Sequence, residues 1–405
     1  MNTRVTATSS NRADAGRADV REDYLARARA LTRLVEAQSA RIEEERRLPP
    51  ALVSKLVDAG LFRMLLPRSL GGGEVDPGTF ASVIEEIARA DASTAWCLCQ
   101  ASGCSMSAAY LSAGAAQEVF GDPGAILAWG PGPEARAIAA DDGYLVTGTW
   151  SFASGCRHAT WLGGYCPIYE PDGTRRRQGD GSGDARTMLF PATDATILDV
   201  WHVGGLRGTA SDSFRVDGLF VPRERAILRD DPRERQESGP LYCFPIGSLY
   251  ASGFAGVALG IARSTLDALV DLAQDKRPRG MSRALRENAV VQSQVAQAEA
   301  QLSSARLFLH ASLDEIWRAV GTAGTITLAE RMRIRLASTF AIHQARQVVD
   351  AMHHVAGGTA IFTDGAFDRR FRDLHAVTQQ LQGRQAHFET VGQFLLGLEP
   401  DTTFL

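Results

Sequence analysis

The hydrophobic period of this chain changes twice, and that order constrains the fold more than any single motif. From about residue 21 apolar side chains recur at helical steps. Tyr24, Ala28, Leu31, Val35 and Ile42 mark one such face. Near Gly121 the texture becomes short and extended, as in AILAW, ARAIAA, YLVTGTWSFAS, TMLF and SFRVDGLFV. After the charged, proline-interrupted RDDPRERQESGP (229–240), helical spacing returns. Leu259 to Leu272, Val291 to Leu309 and Leu336 to Met352 carry it, and a final helix is expected over roughly 370–396. The expected architecture is α+β. Residues 1–20 read as a disordered tail, 21–120 as an N-terminal helical domain, 121–230 as a small antiparallel β domain, and 231–405 as an antiparallel four-helix bundle.

Local chemistry supports the element boundaries. Pro49 and Pro50 stop one helix and can start the next. Asp76 followed by Pro77 reads as an N-cap with proline at the first helical position, and Asp91 reads as a second cap. Asp142-Gly143 between two extended runs predicts a hairpin. Gly357-Gly358 closes the third long C-terminal helix.

With 405 residues, 45% of them hydrophobic, the chain can bury a large core. Its formal charge of −4 does not suit a nucleic-acid or polyanion binder. Lys55 and Lys276 are its only lysines, so arginine carries nearly all the positive charge. The first residues have no apolar core of a signal peptide, and no stretch reaches the ~18 apolar residues of a membrane span. A cytoplasmic location is expected. Cys97, Cys99, Cys104, Cys156, Cys166 and Cys243 form no CxxC pair and read as small buried side chains. The eight histidines offer no HExxH pattern, and His353-His354 has the wrong spacing for one helix face, so no metal site is expected. No GxSxG is present. LGGGE (70–74) follows a helix and lacks the spacing of a phosphate cradle, so it reads as a turn.

Two stretches carry more. In TWSFASG, Phe152, Ala153, Ser154 and Gly155 set a ring, a small residue, a hydroxyl and a pliant backbone in succession. That combination can seat a flat aromatic cofactor, with Ser154 donating to a heteroatom. It is also what a strand end with a buried Phe looks like. In WHVGGLRGTASDS, Trp201 offers a flat face and Arg207, Thr209 and Ser211 offer donors. A bulged hairpin with no ligand has the same spacing.

Taken together the chain resembles the acyl-CoA dehydrogenase superfamily from about residue 22 to 398. LPPALVSKLVDAGLFRMLLPRSLGGGE is similar to its N-terminal helix and glycine loop, VDGLFVP to the end of its β domain, and HHVAGGTAIFTDGAFDRRFRDLHA to its C-terminal segment. Within that superfamily, TWSFASG and WHVGGLRGTASDS look like the W-x-F/Y-A-S-G and W-x-x-x-G-x-R-G-T-G-S patterns of flavin-dependent two-component monooxygenases, with Ala210 where glycine is usual. The resemblance implies reduced FMN or FAD from a separate reductase, O2 as co-substrate, and a C4a-hydroperoxyflavin that oxygenates a small aromatic or amine substrate. It implies that Ser154 lies near the flavin N5 edge. Phe152 and Ala153 would exclude water, and Trp201, Arg207, Thr209 and Ser211 would hold the ring and phosphate side. Trp129 and Gly130 would line the pyrimidine edge, and Arg277 would reach a phosphate or carbonyl in a neighbouring subunit. It also implies a homotetramer built through the C-terminal domain.

The amide-rich RDLHAVTQQLQGRQAH (372–387) weighs against dehydrogenation. The commonest family base, a glutamate ahead of a glycine, would fall at Leu381 or Gln382, before Gly383. The other usual region, 243–262, has no carboxylate. A thioester α-proton does not leave without a base. A desaturase with a relocated base is the alternative. Among the hydroxylases a histidine often stands where this chain has Gln380, which can hydrogen-bond but not take a proton at neutral pH. His387, two helical turns on, and His375 are the candidates to share that helix face.

Overall fold

The computed structural model describes residues 3–403 and 405, with side chains from residue 16 onward. Helix α1 spans Thr3–Glu45, so helix occupies the described part of the segment expected to be a disordered tail; residues 1 and 2 lie outside the described residues. Four more helices complete the N-terminal layer: α2 (Pro50–Asp58), α3 (Pro77–Ala90), α4 (Ala92–Ser105) and α5 (Ala113–Phe120). Their caps follow the local chemistry. Asp76 accepts from the backbone N–H groups of Gly78 and Thr79, and Asp91 from that of Thr94.

Eight strands follow: β1 (Leu127–Gly130), β2 (Arg136–Ala140), β3 (Gly143–Trp150), β4 (Trp161–Tyr169), β5 (Ala185–Pro191), β6 (Thr196–Leu198), β7 (Ser213–Pro222) and β8 (Ala226–Ile227). They pair in the order β6-β7-β3-β2-β4-β5-β8, with β1 on β4. The sheet is mixed, which corrects the antiparallel expectation: β4 runs parallel to both β1 and β2. Sequence patterning hides β4. Its Gly163, Gly164 and Pro167 read as breakers, yet the glycines make room for Trp129 and Trp150. A Cβ on Gly163 would lie 3.1 Å from the Trp129 ring, and one on Gly164 2.5 Å from the Trp150 ring. The β2–β3 hairpin closes through Asp141 and Asp142, with Ala140 opposite Gly143 and Asp142 at φ 59°.

The C-terminal layer holds α6 (Ile246–Asp275), α7 (Ala289–Ala323), α8 (Leu328–Ala356), α9 (Asp368–Gln379) and α10 (Ala386–Leu395). The fourth bundle member is therefore broken: a 3-10 turn at Leu381–Gly383 separates α9 from α10 where one continuous helix was expected. Helix α6 is the hub, packed on α3, α4 and α8. It is long and apolar enough to cross a membrane, but most of it is buried inside the protein. A Cβ at its Gly260 would lie 2.4 Å from the Glu85 carbonyl oxygen, so α3 rests directly on α6 backbone. One large core joins the N- and C-terminal helices and takes in Leu127, Trp129 and Leu189 from the sheet. A second core, built around Trp150, Phe190 and Phe214, sits within the sheet.

Candidate active site

The two informative stretches meet. The segment after β3 and the loop before β7 are stitched by backbone bonds from Ala153 N to Asp212 O (3.0 Å) and from Gly155 N to Thr209 O (2.8 Å). Their side chains continue the contact as a row of hydroxyls. Thr209 Oγ1 lies 2.9 Å from the Leu206 carbonyl oxygen and 2.7 Å from Ser211 Oγ. Ser211 Oγ lies 2.7 Å from Ser154 Oγ, and the Trp96 indole N–H donates to Ser154 Oγ at 2.9 Å. All four of these side chains are buried. Trp96 comes from α4 and stacks on Phe254 of α6 at a centroid distance of 4.0 Å, so the row ends where three layers join.

At its other end the row is anchored to α9. Asp373 Oδ1 accepts the Leu206 N–H at 2.6 Å. The Leu206 carbonyl also takes the Trp201 indole N–H at 3.0 Å. Asp212 holds the other side of the loop, accepting from the backbone N–H groups of Val200 and Trp201 at 2.9 Å each and from Arg157 at 2.6 Å. Leu206 and Ala210 adopt left-handed φ values of 51° and 45°. That accounts for glycine being the usual residue at the second position, since a Cβ is costly there.

Burial pushes the Asp373 carboxyl up to about 7; nearby Asp91 and Glu43 add to the rise, while the Leu206 N–H and Arg369 oppose it. Asp91 is itself buried and raised by burial, so two buried carboxylates sit at the roots of the loop and of α4.

Phe152 and Trp201 form the open edge of this assembly. Phe152 is 65% exposed at φ 54° and meets Trp201 edge-on at 6.0 Å. The buried-Phe alternative therefore fails. A large exposed ring held in a sparsely populated backbone conformation is what a ligand-covering side chain needs. Trp129 is buried, with the Arg229 guanidinium 4.4 Å from its ring centroid. A Cβ on neighbouring Gly130 would fall 1.9 Å from the Ser151 carbonyl oxygen. Arg207 turns toward α1, its Nε 3.9 Å from Glu43. Arg277 is exposed in the α6–α7 connection. It lies more than 20 residues beyond Phe254, roughly 30 Å along the helix. It does not reach the site of its own chain.

The amide run is a pinned turn. Gln380 ends α9 in extended backbone (ψ 154°), and its side chain accepts from Gln382 N at 2.6 Å. Buried Arg335 of α8 donates to the Gln382 side-chain oxygen Oε1, and His343 bonds the Gly383 backbone carbonyl at 3.0 Å. The helix break places His387 on α10, not two turns along one face from Gln380. His387 is buried, with Nε2 donating to Leu381 O at 2.8 Å, and burial followed by the Arg335 charge lowers its pKa. His375 faces α8 instead, 2.9 Å from Asp350 and 4.3 Å from the Phe371 ring centroid. Among the described residues, no hydrogen bond joins Gln380, His375 or His387 to the hydroxyl row. Replacing His387 by Gln is expected to lower the melting temperature and leave the pH–rate profile unmoved. A displaced limb in that profile would give His387 a catalytic role after all.

Trp96, Asp212 and Asp373 escaped the sequence reading. The one available signal was chemical: a Trp buried in a helix of small residues must find an acceptor for its N–H.

Residues 20–118 match the model of the acyl-CoA dehydrogenase N-terminal domain, and residues 252–383 that of the acyl-CoA dehydrogenase C-terminal domain. Indole-3-acetate monooxygenase of Acinetobacter baumannii is 29% identical over 359 residues, covering 87% of this chain and 89% of that protein. The oxygenase component of FADH2-dependent resorcinol hydroxylase from a Rhizobium species is 29% identical over 390 residues, covering 91% and 92%. The crystal structure of the HsaA monooxygenase from Mycobacterium tuberculosis superposes with a TM-score of 0.86 at 26% identity, over 95% of this chain and all of that one (100%). The chain belongs to the acyl-CoA dehydrogenase superfamily, in its branch of flavin-dependent monooxygenases.

Proposed function

We propose that this chain is the oxygenase component of a two-component monooxygenase. It takes reduced flavin from a separate reductase and uses O2 to hydroxylate a small aromatic substrate. The observation that carries the reading is the exposed Phe152 ring, set edge-on to half-buried Trp201 and two residues from Ser154 at the end of the buried hydroxyl row. A flat ring fits that corner. When bound, the reduced flavin supplies the two electrons by which one atom of O2 enters the substrate and the other leaves as water. The protein's part is to hold and to dry the site. Phe152 and Trp201 would cover the ring, Ser154 would meet its polar edge, and the 204–211 loop would face the phosphate side. Trp129 and Gly130 would line the remaining edge. Arg277 is left to a neighbouring subunit.

An aromatic substrate is favoured because the relatives are named for indole-3-acetate and resorcinol. The name of the second also favours FAD over FMN. Acyl-CoA dehydrogenation lacks its base. Gln382 is held by Arg335, and Glu85, the carboxylate buried beside α6, is paired with Arg306 at 2.7 Å and His310 at 3.3 Å. We assign a homotetramer, in which exposed Val290 and Leu307 of α7 and Leu395, Leu396 and Leu398 at the end of α10 become covered. Six free cysteines support a reducing compartment, the cytoplasm.

The test is oxygen uptake with supplied reduced FAD and FMN and a panel of indoles and phenols. Uptake coupled to a hydroxylated product is expected. If reduced flavin oxidises at its free rate with every candidate and no product forms, the reading falls. Tightly held yellow FAD that an acyl thioester bleaches without air would replace it with the desaturase.

A further inference from the structure

We propose that the row Thr209–Ser211–Ser154 selects the redox state of the bound flavin by fixing Ser154 as a hydrogen-bond acceptor. The inference rests on the flavin reading and adds to it the residues that set the preference.

The argument is a count of hydrogens. There are three short oxygen–oxygen contacts: Leu206 O to Thr209 Oγ1 at 2.9 Å, Thr209 Oγ1 to Ser211 Oγ at 2.7 Å, and Ser211 Oγ to Ser154 Oγ at 2.7 Å. Three hydroxyls bring three hydrogens. The Leu206 carbonyl brings none, so Thr209 must donate to it. The Thr209–Ser211 contact must then be filled by Ser211, and the Ser211–Ser154 contact by Ser154. Any other arrangement leaves two buried oxygens within 3 Å with no hydrogen between them. Thr209 is fully buried and Ser211 is 3% exposed. A reversed hydroxyl there would face protein, with an unsatisfied group as the result.

Trp96 completes the assignment. Its N–H can only donate, and it takes one of the two lone pairs on Ser154 Oγ. Ser154 is left with one lone pair and no free hydrogen. It can therefore recognise an N–H donor and cannot serve a bare nitrogen. This reverses the donor role expected of Ser154 from its sequence context.

Flavin N5 carries a hydrogen after two-electron reduction and only a lone pair when oxidised. With N5 at Ser154, Ser154 would accept a hydrogen bond from the reduced ring and would face the oxidised ring lone pair against lone pair. A buried polar group left without its partner weakens binding roughly 10-fold or more. Ser154 so fixed would favour release of the oxidised flavin.

The residues make separable predictions. Ser211→Ala removes the acceptor for the Ser154 hydrogen and lets Ser154 donate to a ligand. Thr209→Val frees the Ser211 hydrogen to turn toward Ser154, with the same consequence. Trp96→Phe removes a donor but releases no hydroxyl hydrogen, so Ser154 remains an acceptor. The experiment is an equilibrium titration of the full-length protein with oxidised FAD in air and reduced FAD under anaerobic conditions. The same pair of titrations is run with FMN. Wild type is expected to bind the reduced form at least about 10-fold tighter. Ser211→Ala and Thr209→Val are expected to lose most of that ratio, chiefly through tighter binding of oxidised flavin. Trp96→Phe is expected to keep it. If folded Ser211→Ala and Thr209→Val both retain the wild-type ratio, the proposal is overturned, with the flavin reading intact. If wild type binds neither form, the flavin reading itself has failed.

Discussion

Replacing Gly205 by alanine will weaken flavin binding by roughly 10- to 100-fold while the helical core stays folded. A Cβ at residue 205 would sit 2.1 Å from the Arg372 carbonyl oxygen, 2.5 Å from its carbon and 2.9 Å from Asp373 N. All three are backbone atoms of α9, which cannot swing aside as a side chain would. The loop must lift instead. The next residue, Leu206, then loses its 2.6 Å bond to Asp373, and its carbonyl no longer holds the Trp201 indole and the Thr209 hydroxyl. Both the ring-covering Trp and the hydroxyl row lose their anchor at once. Gly204 is the control. No atom lies within 4 Å of a Cβ built there, so Gly204→Ala should bind flavin as wild type does. The measurement is an anaerobic flavin titration of both variants beside a thermal melt. Equal affinities in the two variants would show that the α9 contact does not position the loop.

That loop also shows where sequence reading reached and where it stopped. The helix caps at Asp76 and Asp91 were legible because a cap is a contact between residues two or three apart. The stretches around Ser154 and Trp201 were legible as candidates because exposed chemistry sat in unusual local company. Their mutual contact was not, since Ser154 and Ser211 are 57 residues apart and meet only through sheet pairing. The break after Gln379 had no visible breaker until Gly383. It is fixed by Arg335 and His343 of α8, about 40 residues upstream, and no local propensity encodes such a contact. Strand β4 failed for the opposite reason. Its glycines answer to two tryptophans on other strands, so the local signal was present and misleading. The direction of the hydroxyl row lies furthest from the sequence. It depends on three distances and on a carbonyl that has no hydrogen to give.

Asp373→Asn will make the folding stability of this protein less sensitive to pH between about 4 and 7, and will raise it above pH 7 relative to wild type. The Asp373 carboxyl titrates at about 7 in the folded chain, first because it is buried and then because Asp91 and Glu43 lie nearby. In the unfolded chain it titrates near ~3.9. Between those values the folded state holds a proton that the unfolded state has released. The stabilisation is complete below the unfolded value, falls as pH rises, and is gone above the folded value. The slope from this one group is on the order of 1 kcal/mol per pH unit. Asparagine has no proton to lose, yet its carbonyl oxygen can still accept the Leu206 N–H, so flavin affinity should survive. Alanine cannot accept it and should behave like Gly205→Ala in the titration. Asp91, raised in the same direction by burial, leaves a residual slope of the same sign in the asparagine variant. The useful quantity is therefore the difference between wild type and Asp373→Asn in denaturant melts at pH 5, 6, 7 and 8. A difference that stays constant across that series would mean that Asp373 is ionised throughout. The contact between α9 and the Leu206 loop would then be an ordinary ionic hydrogen bond, already complete at pH 5.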